Sequence, residues 1–297
     1  MTTQLVTPNV FIGMDIHKKS WSISIRTDIS DHKTFTTPAK PEVLFDYVNT
    51  HFPGHEVSLV YEAGCCGFSA SRYFLSMGWT VKVVNPADIP TMDKQYYQKT
   101  DAFDSRNLAK QLQGGQLNGI HIPEESQDFL KSLVRQKADV SKQLRKIKNT
   151  IKAFLLYHGI IIPDQYDNPN RRKEFLQWLS NLEFKHHSGK ITLESKLRIL
   201  ACLHSEHLEL ANQLRAYCRK NHKEDYYLLK SIPGIGGYLA SAIIGELGDI
   251  RRFNNETQFA SYVRIVPMMR SSGGSENIFG VTPRCRSLLR SYIIEAA

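Results

Sequence analysis

The stretch VFIGMDIHKKSWSISIRTDISDHKTFTTP, residues 10–38, decides how the first part of this chain is read. It contains three alternating, β-branched runs, VFIGMD (10–15), WSISIR (21–26) and KTFTTP (33–38), separated by short polar turns. A period of two with turn residues between the runs predicts a three-stranded meander. Moving outward, a helix is expected around Glu42 to Asn49, followed by VSLVYE (57–62), a compact apolar strand ending in a carboxylate. A helix near Ser69 to Met77, the strand WTVKVVN (79–85) and a helix from about Asp101 to Leu112 complete the pattern. Three strands followed by alternating helices and strands imply a mixed sheet with helices on its faces.

Beyond Pro123 the pattern changes to long helices. Leu130, Leu133, Val140, Leu144, Ile147, Ile151 and Phe154 follow a near-heptad spacing, with Lys137 interrupting one seam position, which suggests a coiled-coil or helical-hairpin arm. Lys131, Arg135, Lys142, Arg145, Lys146, Lys148 and Lys152 flank the seam, either as a solvated face or as a nucleic-acid contact surface. A polar loop from Pro163 to Arg172 and the segment HHSGK (186–190) interrupt the helices, and a second long helix is expected from Leu193 to about Lys220. From Tyr226 a third pattern begins. LLKSIPGIGGYLASAIIGELGD (228–249) reads as helix, Gly-rich turn and small-residue helix, a helix-hairpin-helix whose amides at Gly234, Gly236 and Gly237 suit a phosphate, or else a plain tight turn. The organisation is therefore 1–122, a mixed α/β domain; 123–222, a helical connector; and 223–297, a mainly α domain.

The bulk composition narrows the partners. Thirty-eight Lys and Arg stand against 29 Asp and Glu, a formal charge of +9 that favours polyanions. The five cysteines are odd in number and lack a C-x-x-C spacing, which argues against a disulfide framework or a zinc site. There is no apolar run of about 18 residues, and Met1 to Asn9 lack signal-peptide character, so a cytoplasmic protein with no membrane partner is expected.

Four acidic residues stand out. Asp15 ends the first strand and Glu62 the fourth; if these strands are parallel neighbours, both carboxylates emerge at one sheet edge. Asp101 and Asp104, three apart at a helix start, share a face about 5–6 Å apart, and a helix packed on that edge would bring them to the other two. Four converging carboxylates repel one another unless a cation sits among them, and Mg²⁺, with Mn²⁺ as a substitute, fits phosphoryl-transfer chemistry. Taken singly, Asp101 is also an ordinary N-cap candidate and Asp104 a solvated helix residue.

Five motifs now carry a resemblance: FIGMDIHKKSWSISI (11–25), VYEAGCCGFSASRYFLSMGWTVKVVNPADI (60–89), KTDAFDSRNLA (99–109), SIPGIGGYLASAIIGELGDIRRF (231–253) and SYVRIVPMMRSSGG (261–274). Their order and spacing resemble the DEDD transposases of the insertion-sequence one-ten family, which includes the Piv/MooV DNA invertases. The resemblance implies an RNase H-like (RuvC-like) N-terminal domain, a coiled-coil connector and a C-terminal transposase domain. It assigns the metal-binding and catalytic tetrad to Asp15, Glu62, Asp101 and Asp104, and a serine nucleophile to Ser272, before the glycine of RSSGG. It further implies donor and target DNA as substrates, a structured bridge RNA as guide, and a homo-oligomer, dimer or tetramer, acting on the bacterial nucleoid.

Three departures accompany the match. Arg264 stands where the family usually has glycine, Pro283 to Cys285 replace another glycine, and the sequence stops at LLRSYIIEAA with no helix stop signal, so a truncated C-terminus is expected. RSSGG itself reads as a slack loop able to carry Ser272, or in its place Ser271 or Ser275, to a metal site. The alternatives are a RuvC-like structure-specific nuclease using metal-activated water, a non-catalytic nucleic-acid-binding protein, and a sugar-kinase-like ATPase suggested by the first motif alone.

Overall fold

The computed structural model describes residues 8–90, 100–166, 172–272, 275–281 and 287–297, with 267–281 described by backbone only. The chain divides into two compact units, Met1–Ile122 and Pro123–Ala297.

The first unit is built on strands β1 (Asn9–Ile16), β2 (Ser20–Thr27), β3 (Asp31–Pro38), β4 (Glu56–Glu62) and β5 (Thr80–Val84). They form one sheet in the order β3-β2-β1-β4-β5. β1 and β2 are antiparallel, as are β2 and β3, whereas β1 runs parallel to β4 and β4 to β5. The meander and the mixed sheet expected from the alternation are therefore both present.

The period of two sorts the residues by face. Val10, Ile12 and Met14 of β1 and Trp21, Ile23 and Ile25 of β2 enter the main core together with Leu44 and Val48 of helix α1 (Pro41–His51) and Phe74 of helix α2 (Ser69–Ser76). Phe74 stacks on Trp79 with ring centroids 4.7 Å apart.

The opposite face receives helix α3 (Asp101–Gln113), whose Leu108 and Leu112 pack with Val60, Val84 and Leu117. On this face β1 presents Gly13, and a Cβ there would lie deep inside contact with the Ser105 carbonyl oxygen and the Ala109 backbone nitrogen. Small polar side chains line the same seam. Ser24 Oγ lies 2.9 Å from Ser105 Oγ and 2.8 Å from Thr34 Oγ1, and Ser22 Oγ lies 3.3 Å from Ser105 Oγ. At the far end Arg26 Nε donates to Gln113 Oε1 at 2.8 Å.

The second unit pairs two long helices, α4 (Glu125–Tyr157) and α6 (His187–Asn221), with the shorter α5 (Arg172–Asn181) against them. Leu130 and Val134 of α4 share a core with Leu214 and Cys218 of α6, while Leu144, Ile151 and Leu155 share another with Leu193 and Leu200, so the two helices run antiparallel. The seam uses Val134 and Leu155 in place of the expected Leu133 and Phe154, which are only partly buried. Lys137 sits inside rather than interrupting the packing, its Nζ 3.6 Å from the centre of the Tyr238 ring.

Helix α7 (Lys223–Lys230) leads through a Gly-rich turn into α8 (Gly237–Leu247), every residue of which from Leu239 onward is buried. Gly245 lets α4 approach, since a Cβ there would collide with Val134. Arg135 reaches across to Glu246, Nε to Oε1 at 2.8 Å, and Gln127 donates to the Ile244 and Gly245 carbonyls at the end of α8. The unit closes with α9 (Glu256–Val263), the hairpin strands β6 (Pro267–Ser272) and β7 (Ser275–Val281), and α10 (Ser287–Ala296).

Arg264 caps α9 at φ 62°, ψ 47°, in the left-handed region, which gives a physical reason for the family's preference for glycine at this position. Among the described residues it is the one non-glycine with positive φ. No helix is long and apolar enough to cross a membrane, among the described residues. Cys65, Cys66, Cys202 and Cys218 are free thiols; Cys285, with Pro283, lies outside the described residues.

Gly13→Ala tests the seat of α3. It is expected to destabilise the first unit by about 1–3 kcal/mol or more through overpacking against a backbone that cannot give way. Urea unfolding reads this directly; stability equal to wild type would show that α3 does not rest on β1 at this point.

Candidate functional site

The parallel register places Met14 beside Tyr61, so Asp15 and Glu62, each one residue further, leave the sheet at the same edge of β1 and β4. Helix α3 begins at this edge. Thr100 caps it, its side chain accepting from the Phe103 amide at 3.3 Å, so Asp101 is not the N-cap but the first helical residue with its carboxylate free to face the sheet. Asp101 and Ser105 lie one turn apart, and the packing that seats Ser105 on β2 also sets Asp101 over the end of β1.

A side chain absent from the sequence-based set completes the cluster. His17 Nε2 lies 3.3 Å from Asp15 Oδ2 and 3.4 Å from Asp101 Oδ2. Donor atoms of Asp15, His17 and Asp101 all lie within 4.8 Å of one another, and among the described residues Glu62 and Asp104 stand outside that group. The signal was present in the sequence: His17 is two residues past Asp15, just beyond the end of β1. Asp15 is the most enclosed member, with its side chain 21% exposed against 54% for His17 and 66% for Asp101.

Electrostatics mark the spot. Burial pushes the Asp15 carboxyl above its ordinary value of 3.8, His17 pulls it down, and the nearby charges of Asp101 and Asp104 push it up again. The net upward shift means that burial, with the acidic neighbours adding to it, outweighs the pull of His17. The donor set fits a divalent cation: cis ligands of an octahedral ion at about 2.1 Å are about 3 Å apart, close to the 3.3 and 3.4 Å spacings around His17.

The other sequence-based candidates lie in the second unit. Lys142, Arg145 and Lys146 are exposed on α4, Lys142 with Asp139 at 3.1 Å. Gly236 caps α8, Gly237 is its first residue, and Gly234 has φ 88° in the preceding turn. Ser272 does not lie in a slack loop. It ends β6 and pairs in register with Ser275 of β7. Gly273 and Gly274 between them, and the side chains of Ser271, Ser272 and Ser275, lie outside the described residues.

A 3-2-1-4-5 mixed sheet with a carboxylate–imidazole cluster at the edge of its central parallel pair fits a DEDD-type RNase H-like domain suited to a divalent metal. Comparison with known proteins agrees. A DEDD transposase model of the IS110 type matches residues 12–159, and one described as Transposase IS116/IS110/IS902 family matches residues 226–297. The putative transposase y4qE of Sinorhizobium fredii is 29% identical over 241 residues, 81% of this chain and 58% of that protein. The transposase for insertion sequence element IS1111A of Coxiella burnetii is 24% identical over 76% of this chain and 61% of its own length. That for IS1328 of Yersinia enterocolitica is 25% identical over 98% and 84%. The chain belongs to the IS110 family of transposases. It spans 58% and 61% of the lengths of the first two relatives.

Asp15→Asn is expected to raise the melting temperature of the metal-free protein at neutral pH. A carboxyl whose folded pKa is raised is stabilising only while protonated, so its ionised form opposes folding at pH 7. The gain should narrow as pH falls through the raised folded value and vanish below 3.8, where Asp15 is protonated in both states. A lower melting temperature for Asp15→Asn at pH 7 would contradict this.

Proposed function

We propose that this chain is the transposase of an insertion sequence, cutting and rejoining donor and target DNA with a metal held by the acidic edge of the first unit and a serine nucleophile from the second. The observation that carries the reading is the convergence of Asp15, His17 and Asp101 on one point, in a chain whose family processes DNA. Glu62 and Asp104, at the same edge and the same helix start, would complete the ligand set of a bound cation. A bound Mg²⁺, or Mn²⁺ in its place, would supply charge to a phosphoryl oxygen.

This chain's residues supply the rest. Asp15, held by the sheet and the most enclosed of the cluster, would hold the cation at the end of β1, with Asp101 and Asp104 of α3 as further ligands. Ser272 is the nucleophile: its oxygen bonds to phosphorus as the bond to the departing sugar oxygen breaks, leaving a phosphoserine link that preserves the energy of the phosphodiester. A serine hydroxyl needs a base or a polarised phosphate to react at neutral pH. Ser272 ends β6, paired in register with Ser275 of β7.

The antiparallel pair α4–α6 serves as a coiled-coil arm, with Lys142, Arg145 and Lys146 touching nucleic-acid phosphates. α7, its turn and α8 serve as a helix-hairpin-helix whose Gly234, Gly236 and Gly237 amides approach a phosphate. A structured bridge RNA from the element selects the DNA by base pairing, and two or four chains act together in the cytoplasm, on the nucleoid. One observation favours a second reading, a RuvC-like nuclease using metal-activated water: the three-donor cluster is complete within the first unit, without Ser272.

Ser272→Ala separates the two. Strand cleavage and the covalent protein–DNA adduct, read on denaturing gels, are expected to fall together by about 10³-fold or more, as for loss of a nucleophile elsewhere. Asp15→Ala should abolish both. Undiminished cleavage by Ser272→Ala would leave the nuclease reading in place of the serine mechanism.

A further inference from the structure

A second charged site lies in the second unit, between α6, α7 and the start of α8. It is an open cavity of about 620 Å³ whose lining includes Arg215, Arg219, Tyr226, Lys230 and Gly237. Arg215 and Arg219 come from successive turns of α6 and Lys230 ends α7, so three cations from two helices surround one space. None of the three forms an ion pair with a carboxylate among the described residues, and no carboxylate lines the cavity. Elsewhere in the unit Arg135 has Glu246 and Arg251 has Asp225 as acidic partners. Three like charges without a counter-charge repel one another, and an anion between them removes that repulsion.

Two further features point into the same space. Gly236 caps α8 with no side chain accepting from the first turn, so the amides there keep their donors and the positive end of an 11-residue helix faces outward. Tyr226 is 3% exposed as a whole, and its side chain lines the cavity. Its hydroxyl stands over the helix start: a Cβ on Gly237 would lie 2.5 Å from it and 3.4 Å from Arg215 Cδ. The hydroxyl is aimed at the place that the amides and guanidinium groups surround, and the glycine keeps the floor of that place open. Lys230 lies over the Tyr226 ring at 5.8 Å, which orients its ammonium along the cavity wall.

We infer that this cavity binds a phosphodiester group of a nucleic-acid backbone, with the Tyr226 hydroxyl and the first amides of α8 donating to its oxygens and Arg215, Arg219 and Lys230 neutralising its charge. The chemistry is that of a backbone contact: charge and donors, with no acceptor to read a base edge. The identity of the anion rests on the proposed nucleic-acid function. The site itself goes beyond the Gly-rich turn, because most of its charge comes from α6.

The test uses the full chain and fluorescence anisotropy with a labelled DNA duplex and, separately, a labelled structured RNA, each over a salt series. Arg215→Ala with Arg219→Ala is expected to weaken binding by about tenfold or more and to lower the salt slope by about 1, for the one phosphate no longer neutralised. Tyr226→Phe keeps the ring and its packing. It is expected to weaken binding about tenfold or more, as for loss of one hydrogen bond to a charged group, with the slope unchanged. Loss confined to the DNA arm assigns the site to DNA, and loss confined to the RNA arm assigns it to RNA; either supports the pocket. If wild type binds both probes and both variants match it in affinity and slope, the pocket is overturned while the proposed function stands. If wild type binds neither probe, the proposed function and the pocket fall together.

Discussion

The contact on which the rest of the first unit depends is the approach of α3 to β1 at Gly13. A side chain of any size there would push the helix outward, and with it Asp101 and Asp104. Because the position is bare, Ser105 can reach the β2 hydroxyls of Ser22 and Ser24, and Leu108 and Leu112 can close over Val60 and Val84. Burying side chains of that size yields about 1.5–3 kcal/mol each. That gain is what holds three mutually repelling carboxylates at one edge of a sheet. The price appears at Asp15, whose carboxyl is pushed upward by burial and by its acidic neighbours.

The second unit uses the same device for another purpose. Gly245 admits α4 against α8, and the close contact brings Arg135 onto the nearly enclosed Glu246. Removing Arg135 would leave the Glu246 carboxylate enclosed without its charged partner. Lys137 follows a different rule. It lies inside the unit on the Tyr238 ring, and burial pulls its ammonium down from its ordinary range. Tyr238 in turn shares a 2.9 Å hydrogen bond with Tyr292, tying α8 to α10.

Much of this was legible in the amino-acid order. Alternation over residues 10–38 marks the meander, and the apolar runs at 57–62 and 79–85 mark the parallel strands, because strand faces repeat every two residues and nothing longer-range is needed to see them. Three features were harder to read. His17 was passed over because a histidine in a polar turn looks solvated until a helix distant in sequence is laid beside it. RSSGG resembled a linker because Ser and Gly report backbone freedom, whereas cross-strand pairing makes Ser271 and Ser272 the end of strand β6. The heptad placed Leu133 in the seam, but α8 as well as α6 packs on α4, and that third helix rotates the buried face toward Val134 and Lys137. Arg264 shows the reverse: the expected glycine is absent, and the left-handed backbone that favours it is present all the same.

Geometry and electrostatics at the sheet edge lead to one claim, that Asp15, His17 and Asp101 together hold a divalent cation. The most direct test is the uptake of Mn²⁺ by the full chain, followed as loss of the free-ion electron paramagnetic resonance signal, for wild type and for Asp101→Asn. The account predicts saturable uptake by wild type and an affinity lower by about tenfold or more in the variant. No uptake by wild type, or the same affinity in both proteins, would contradict it.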